Sequence, residues 1–216
     1  MARSSAAPEL PDRLTPYPVV ANIDFAEGPI FDDAGYLYFV NYLESGTLGR
    51  MAPDGTVEVW VHTGGRVNGL KFDGNGHIVG ADYGGRRVTR FDLRTRKMEV
   101  LTDEFEGLAY NGPNDVCLDA AGNVYFTDPG DDSVPAPGAV YRIDMGPDNR
   151  PARVRRLDGD LRYPNGLAYS PGWHALLSGA EREKQRRRLL SRVRRQPLEP
   201  APASPVPGRH RGRHDV

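Results

Sequence analysis

Asn114-Asp115-Val116-Cys117-Leu118-Asp119-Ala120-Ala121-Gly122 decides the fold, because the chain draws the same outline three more times. Glu27-Gly28-Pro29-Ile30-Phe31-Asp32-Asp33-Ala34-Gly35 and Asn68-Gly69-Leu70-Lys71-Phe72-Asp73-Gly74-Asn75-Gly76 align with it without gaps. Asn165-Gly166-Leu167-Ala168-Tyr169-Ser170-Pro171 opens the same way. Each starts on a polar residue and runs into a short strand-like stretch; the first three then close on Asp-x-x-Gly. The starting positions 27, 68, 114 and 165 are 41, 46 and 51 residues apart. A period of roughly 40–50 residues built of short strands marks propeller blades.

Working outward, each Asp-x-x-Gly is a tight turn. The Asp side chain accepts from the backbone two residues on, and the Gly supplies the positive φ. Second strands follow at 36–41, 77–82 and 123–128, rich in Tyr, Phe, Val and Ile. Third strands are expected at 47–51, 86–92 and 138–144, and short edge strands at 56–61 and 98–101. No stretch before residue 172 shows a convincing amphipathic helical period. The fold class is therefore all-β, with about four blades of an incomplete propeller over residues 15–171. A single blade has no core, so the blades must stack on one another.

Composition bounds the rest. Gly 25 and Pro 19 in 216 residues favour turns over long helices. Cys117 is the one cysteine, which excludes an intrachain disulfide and any cysteine-based metal site. No run of 18 apolar residues occurs, so no membrane partner is expected. The extension 1–14 carries Arg3, Glu9, Asp12 and Arg13 and lacks the apolar core of a secretory signal. A cytoplasmic location is the expectation.

The net charge of −1 conceals a break. Residues 172–216 hold 11 of the 28 Lys and Arg against four acids, with ten Arg and five Pro. Two readings of this tail stand side by side. One is a natural, disordered or weakly helical basic tail that binds nucleic acid or another acidic surface. The other is a segment out of frame, since the break falls inside a repeat, at Pro171-Gly172. For the propeller itself no nucleic acid partner is expected.

In a propeller the first residues of the innermost strands crowd one mouth of the central channel. Glu27, Asn68, Asn114 and Asn165 occupy that place in successive repeats. One carboxylate among amide oxygens suits a hard cation such as Ca²⁺, which takes about six to eight oxygen ligands. The bland alternative is a ring of asparagines that cap strands through backbone hydrogen bonds. Asp32, Asp73 and Asp119 read as turn residues, Asp128 as a strand end, His62 and His77 as surface residues, and Cys117 as core. Gly64-Gly65 and Gly84-Gly85 read as hairpin turns.

Three segments carry a family resemblance. They are Glu27-Gly28-Pro29, then Gly112-Pro113-Asn114-Asp115-Val116 with Tyr125-Phe126-Thr127-Asp128-Pro129, and Tyr163-Pro164-Asn165-Gly166-Leu167. In this order they resemble the signatures of the gluconolactonase and senescence-marker-protein (regucalcin-like) family of six-bladed propeller hydrolases. The resemblance implies a small lactone substrate and a divalent cation, calcium first, with zinc, magnesium or manganese as alternatives. It assigns Glu27, Asn114 and Asn165 as metal ligands, and Asn68 and Asp115 as substrate-facing, Asp115 also being placed to orient a ligand. The family's further ligand and acid, an Asp from a later blade, has no counterpart: after Asp160 only Asp215 remains. The catalytic acid is therefore unassigned, and an impaired sugar-lactone hydrolase is expected. A non-catalytic propeller binding module and a metal-free enzyme resembling strictosidine synthases are the competing readings.

Overall fold

The computed structural model describes residues 15–129, 137–169, 176–180 and 189–192. Every regular element among them is a strand, and no helix is long and apolar enough to cross a membrane. The strands pair with their sequence neighbours into consecutive antiparallel sheets. The first blade is β1 (Ile30–Phe31), β2 (Leu37–Val40), β3 (Thr47–Met51) and β4 (Val57–His62). The second is β5 (Val67–Phe72), β6 (His77–Asp82), β7 (Arg87–Asp92) and β8 (Met98–Thr102). A small hairpin, β9 (Glu104–Phe105) with β10 (Leu108–Ala109), then leads to the third blade. That blade is β11 (Val116–Leu118), β12 (Val124–Asp128), β13 (Gly138–Met145) and β14 (Pro151–Leu161). The fourth sheet has three described strands, β15 (Pro164–Tyr169), β16 (Leu176–Ala180) and β17 (Leu189–Arg192). The architecture is an incomplete β-propeller.

The turns that join the first two strands of each complete blade follow one design. Asp32 Oδ1 accepts from Ala34 N at 3.0 Å and Tyr36 N at 2.9 Å, and Gly35 sits at φ +87°. Asp73 holds Asn75 N and His77 N in the same way, and Asp119 holds Ala121 N and Asn123 N. Gly76 and Gly122 repeat the positive φ, at +88° and +82°. A Cβ would be strained there, which is why glycine recurs at this position.

Strand pleating divides each middle strand between two seams. Neighbouring residues point to opposite faces, so a strand stacked on both sides must be apolar throughout. Ile78 enters the seam with the first blade, beside Tyr38, Trp60, Leu70 and Phe91. Val79 and Ala81 enter the next seam, beside Tyr110, Val116, Phe126 and Ile143. Tyr125 points the other way from Phe126, into a seam with Cys117, Val140, Leu167 and Leu176. Each such buried side chain contributes about 1.5–3 kcal/mol over leaving it wet. Edge-to-face ring pairs, Tyr38 on Trp60 at 5.2 Å and Tyr110 on Phe126 at 5.1 Å, add directional packing.

Three features add to or differ from the sequence reading. Pairing continues beyond Pro171: Tyr169 pairs Leu176 and Pro164 pairs Ala180. Leu176 is buried in the third seam, and β17 pairs in turn with β16 as strand rather than helix. A strand laid against β15 has its backbone groups satisfied by the ladder whatever its side chains. The rest of 172–216 and the extension 1–14 lie outside the described residues. The second difference is β14, an eleven-residue strand dense in arginine that composition concealed. His77 also differs, because its Nδ1 sits 2.9 Å from Asp73 Oδ2 with the side chain largely covered.

Candidate functional site

Close approach of the innermost strands builds the channel mouth. A Cβ on Gly28 would overlap the carbonyl oxygen of Asn68, and one on Gly69 would lie 2.7 Å from Asp115 Cα. Across the same gap Gly69 N donates to Asn114 O at 2.9 Å. Glycine after the first polar residue thus lets one blade's opening strand lie against the next. In the third repeat an acid, Asp115, takes that place.

Asp115 turns back into the scaffold. Its Oδ1 accepts from Val116 N at 2.8 Å, and its Oδ2 accepts from Leu167 N, in the fourth blade, at 2.7 Å. Thr127 completes the knot: its Oγ1 accepts from Asp115 N at 3.1 Å and donates to Asn165 O at 2.9 Å. Burial raises the Asp115 carboxyl pKa above its ordinary value, while the two N–H donors and Lys71 pull it down. The side chain assigned to face substrate is instead committed to the backbone of two adjacent blades. No local pattern signals this, since the Leu167 partner is 52 residues away.

A cavity of about 490 Å³ opens at this mouth, and Asn68 and Asn114 both line it. Arg66, Tyr83, Asp24, Tyr163, Asn41 and Ser45 form the rest of its polar wall. Asn114 is buried, and Asn68 presents a buried Oδ1 with no hydrogen-bond partner among the described residues. A buried amide oxygen left unsatisfied costs free energy, so its presence beside a cavity points to a ligand. Glu27 and Asn165 are exposed and stand outside the cavity wall. Of the five residues singled out from the sequence, the structure gathers Asn68 and Asn114 into one cavity. It links Asn165 to Asn114 through the backbone and Thr127. Among the described residues no group of three or more His, Cys, Asp or Glu could hold a metal ion.

Sequence reasoning passed over Arg66, Tyr83 and Asp24. Arg66 has no ion-pair partner among the described residues, and Tyr83 packs on Gly112, where a Cβ would fall 2.7 Å from its ring. Their signal was positional: Arg66 and Asp24 lie two and three residues before Asn68 and Glu27, on the loops that lead into the innermost strands.

The comparisons with known proteins agree with this architecture. A gluconolactonase of Zymomonas mobilis is 30% identical, over 74% of this chain and 50% of that protein. The solved gluconolactonase of Xanthomonas campestris superposes with a TM-score of 0.64 at 26% identity, covering 75% of this chain and 56% of that one. Regucalcin of Agrobacterium tumefaciens, described as a calcium-binding protein, shares the fold at TM-score 0.57 and 19% identity, over 74% of this chain and 55% of that one. The chain spans about half the length of these relatives. The family model described as the SMP-30/Gluconolactonase/LRE-like region matches residues 25–178. With its stacked blades and its channel mouth of asparagines, the chain belongs to the SMP-30/gluconolactonase/LRE-like family.

Proposed function

We propose that this chain supplies part of a divalent-cation-dependent hydrolase of sugar-type lactones, acting at the channel mouth where Asn68 and Asn114 meet. The observation that carries the reading is the unpartnered Asn68 Oδ1, buried beside Asn114 on the cavity wall. Amide oxygens with one carboxylate, and no sulfur or imidazole, suit calcium, with magnesium, manganese or zinc as alternatives. Asn114 with Glu27 from the first blade and Asn165 from the fourth would hold the ion, and Asn68 would face the substrate. A bound divalent cation supplies Lewis-acid polarisation of a lactone carbonyl. Arg66 and Tyr83 offer donors for the hydroxyl groups of a sugar ring, and Asp115 holds the asparagine-bearing strands in register. With Glu27 as the one carboxylate of the set, the 2+ charge is under-compensated, and binding and turnover are both weak.

A second reading, a non-catalytic propeller module, draws on one observation: Glu27 and Asn165 stand exposed outside the cavity. Calcium titration by calorimetry, with hydrolysis of a sugar lactone followed in parallel, separates the two. Under the first reading calcium binds with a dissociation constant of about 10⁻³ M or weaker. The variants Glu27→Gln and Asn114→Ala weaken it further, and any lactone hydrolysis falls with chelation. Hydrolysis indifferent to chelator and to both substitutions refutes the first reading.

A further inference from the structure

In each complete blade a buried polar residue ends the second strand. Asn41 follows β2, Asp82 closes β6 and Asp128 closes β12. Ending a strand does not explain what their side chains do. Asp128 Oδ1 accepts from Gly112 N at 2.6 Å, and its Oδ2 accepts from Asn111 N at 2.9 Å. Asp82 Oδ1 accepts from Arg66 N at 2.7 Å, and Asn41 Nδ2 donates to Phe25 O at 3.4 Å. Gly112, Arg66 and Phe25 share one position: each stands two residues before the polar residue at the channel mouth, Asn114, Asn68 or Glu27. Two of these side chains, Asn41 and Asp82, also hold the loop that leaves the strand. Gly46 N donates to Asn41 Oδ1 at 3.2 Å, and Gly85 N donates to Asp82 Oδ1 at 2.9 Å.

A fully buried carboxylate is costly unless its charge meets several donors. Asp82, at 0% exposure, has Arg66 N and Gly85 N on one oxygen and Arg87 Nε on the other at 2.9 Å. Asp128, at 2% exposure, has two backbone N–H groups. Such groups are poorly placed to reach a substrate and well placed to fix a loop.

We propose that Asp128 and Asp82 are positioning residues whose buried carboxylates clamp the loops before Asn114 and Asn68 and so aim those asparagines into the cavity. In the fourth blade the clamp is missing its side chain. Val67 stands opposite Asp82 in the second blade, and in the fourth the matching pair is Pro164 with Ala180. Alanine has no acceptor to offer the loop before Asn165, the asparagine that is exposed. What the aimed asparagines bind rests on the proposed function; that they are aimed does not.

The test uses the full chain, labelled with ¹⁵N, and the variant Asp128→Asn, which keeps the shape and turns an amide toward two N–H donors. Ile143→Val serves as a core variant that lowers the thermal midpoint without touching the loop. Asp128→Asn is expected to shift or broaden the Asn114 side-chain amide signals and to weaken calcium binding by about tenfold, as changes to supporting residues do at metal sites. Ile143→Val is expected to leave both unchanged. If Asp128→Asn lowers the thermal midpoint yet leaves the Asn114 signals in place, the proposal is overturned. Should Asp128→Asn fail to fold, Asp82→Asn, read on the Asn68 signals, decides in its stead. If the parent chain takes up no calcium, the proposed function falls, and the Asn114 signals still judge the clamp.

Discussion

Asp115 Oδ2 accepts the backbone N–H of Leu167 at 2.7 Å, a side-chain bond that spans the third and fourth blades. Its other oxygen takes Val116 N, so one carboxylate satisfies two backbone donors at the seam. Asp115→Ala strands both, at about 1–3 kcal/mol per unsatisfied group. A loss of about 2–6 kcal/mol is expected in urea unfolding. Asp115→Asn, which retains one acceptor, should lose about half of that. Wild-type stability in Asp115→Ala would show that the two donors find water instead.

Gly69 faces Asp115 from the second blade with no room for a methyl group. Gly69→Ala is expected to cost about 3 kcal/mol or more, because the clash is with the Asp115 backbone and with its Oδ1, which Val116 N holds in place. Gly74 is the control, at φ +74° with nothing within 4 Å of its would-be Cβ. Gly74→Ala should lose only about 1–2 kcal/mol, from the left-handed backbone alone. Thermal unfolding of the pair checks the difference, and equal losses would contradict the close packing of the inner strands.

Burial raises the pKa of the Asp128 carboxyl above its ordinary value of 3.8, outweighing the N–H groups of Asn111 and Gly112 and the Arg86 charge, which lower it. A raised folded-state pKa means that folding takes up a proton there. That stabilising contribution is complete below 3.8 and is lost as the pH rises through the folded value. The parent chain should therefore lose stability, relative to Asp128→Asn, as the pH is raised from about 4 to 7. Thermal midpoints of both chains across that range measure it. A difference between the two that stays constant with pH contradicts the burial argument.

The segment after Pro171 allows a check at the level of the gene. If the tail is out of frame, another frame past codon 171 should continue the strand pattern. It should also place Asp or Asn where Ala180 now stands, in line with Asn41, Asp82 and Asp128. Reading the nucleotide sequence in its other two frames settles the matter. An absence of strand pattern in both makes the basic tail genuine.

Much of this fold was legible because the repeat announces itself in local chemistry. Asp32, Asp73 and Asp119 each act within four residues, so a short window was enough to find them. Strands β6 and β3 lie where alternation and turn spacing put them. The hairpin Glu104–Phe105 with Leu108–Ala109 was not legible, because two-residue strands leave no period to read. Strand β14 was hidden by its arginines, which paired backbone tolerates on an outer edge. The candidate site divides the same way. The positions of Asn68 and Asn114 followed from repeat register, whereas the roles of Asp115 and Asp128 depend on partners 52 and 16 residues away.

Cys117, the chain's one cysteine, makes the third seam a clock. It is buried in a cluster with Tyr125, Val140, Leu167 and Leu176, and desolvation holds the thiol far above its usual pKa. Lifting the fourth blade away uncovers the thiol, so the rise in alkylation rate above its native level measures that opening. If the rate barely responds to low urea, the fourth blade breathes by itself while the other three hold. If it rises as steeply as global unfolding, all four blades come apart as one cooperative unit.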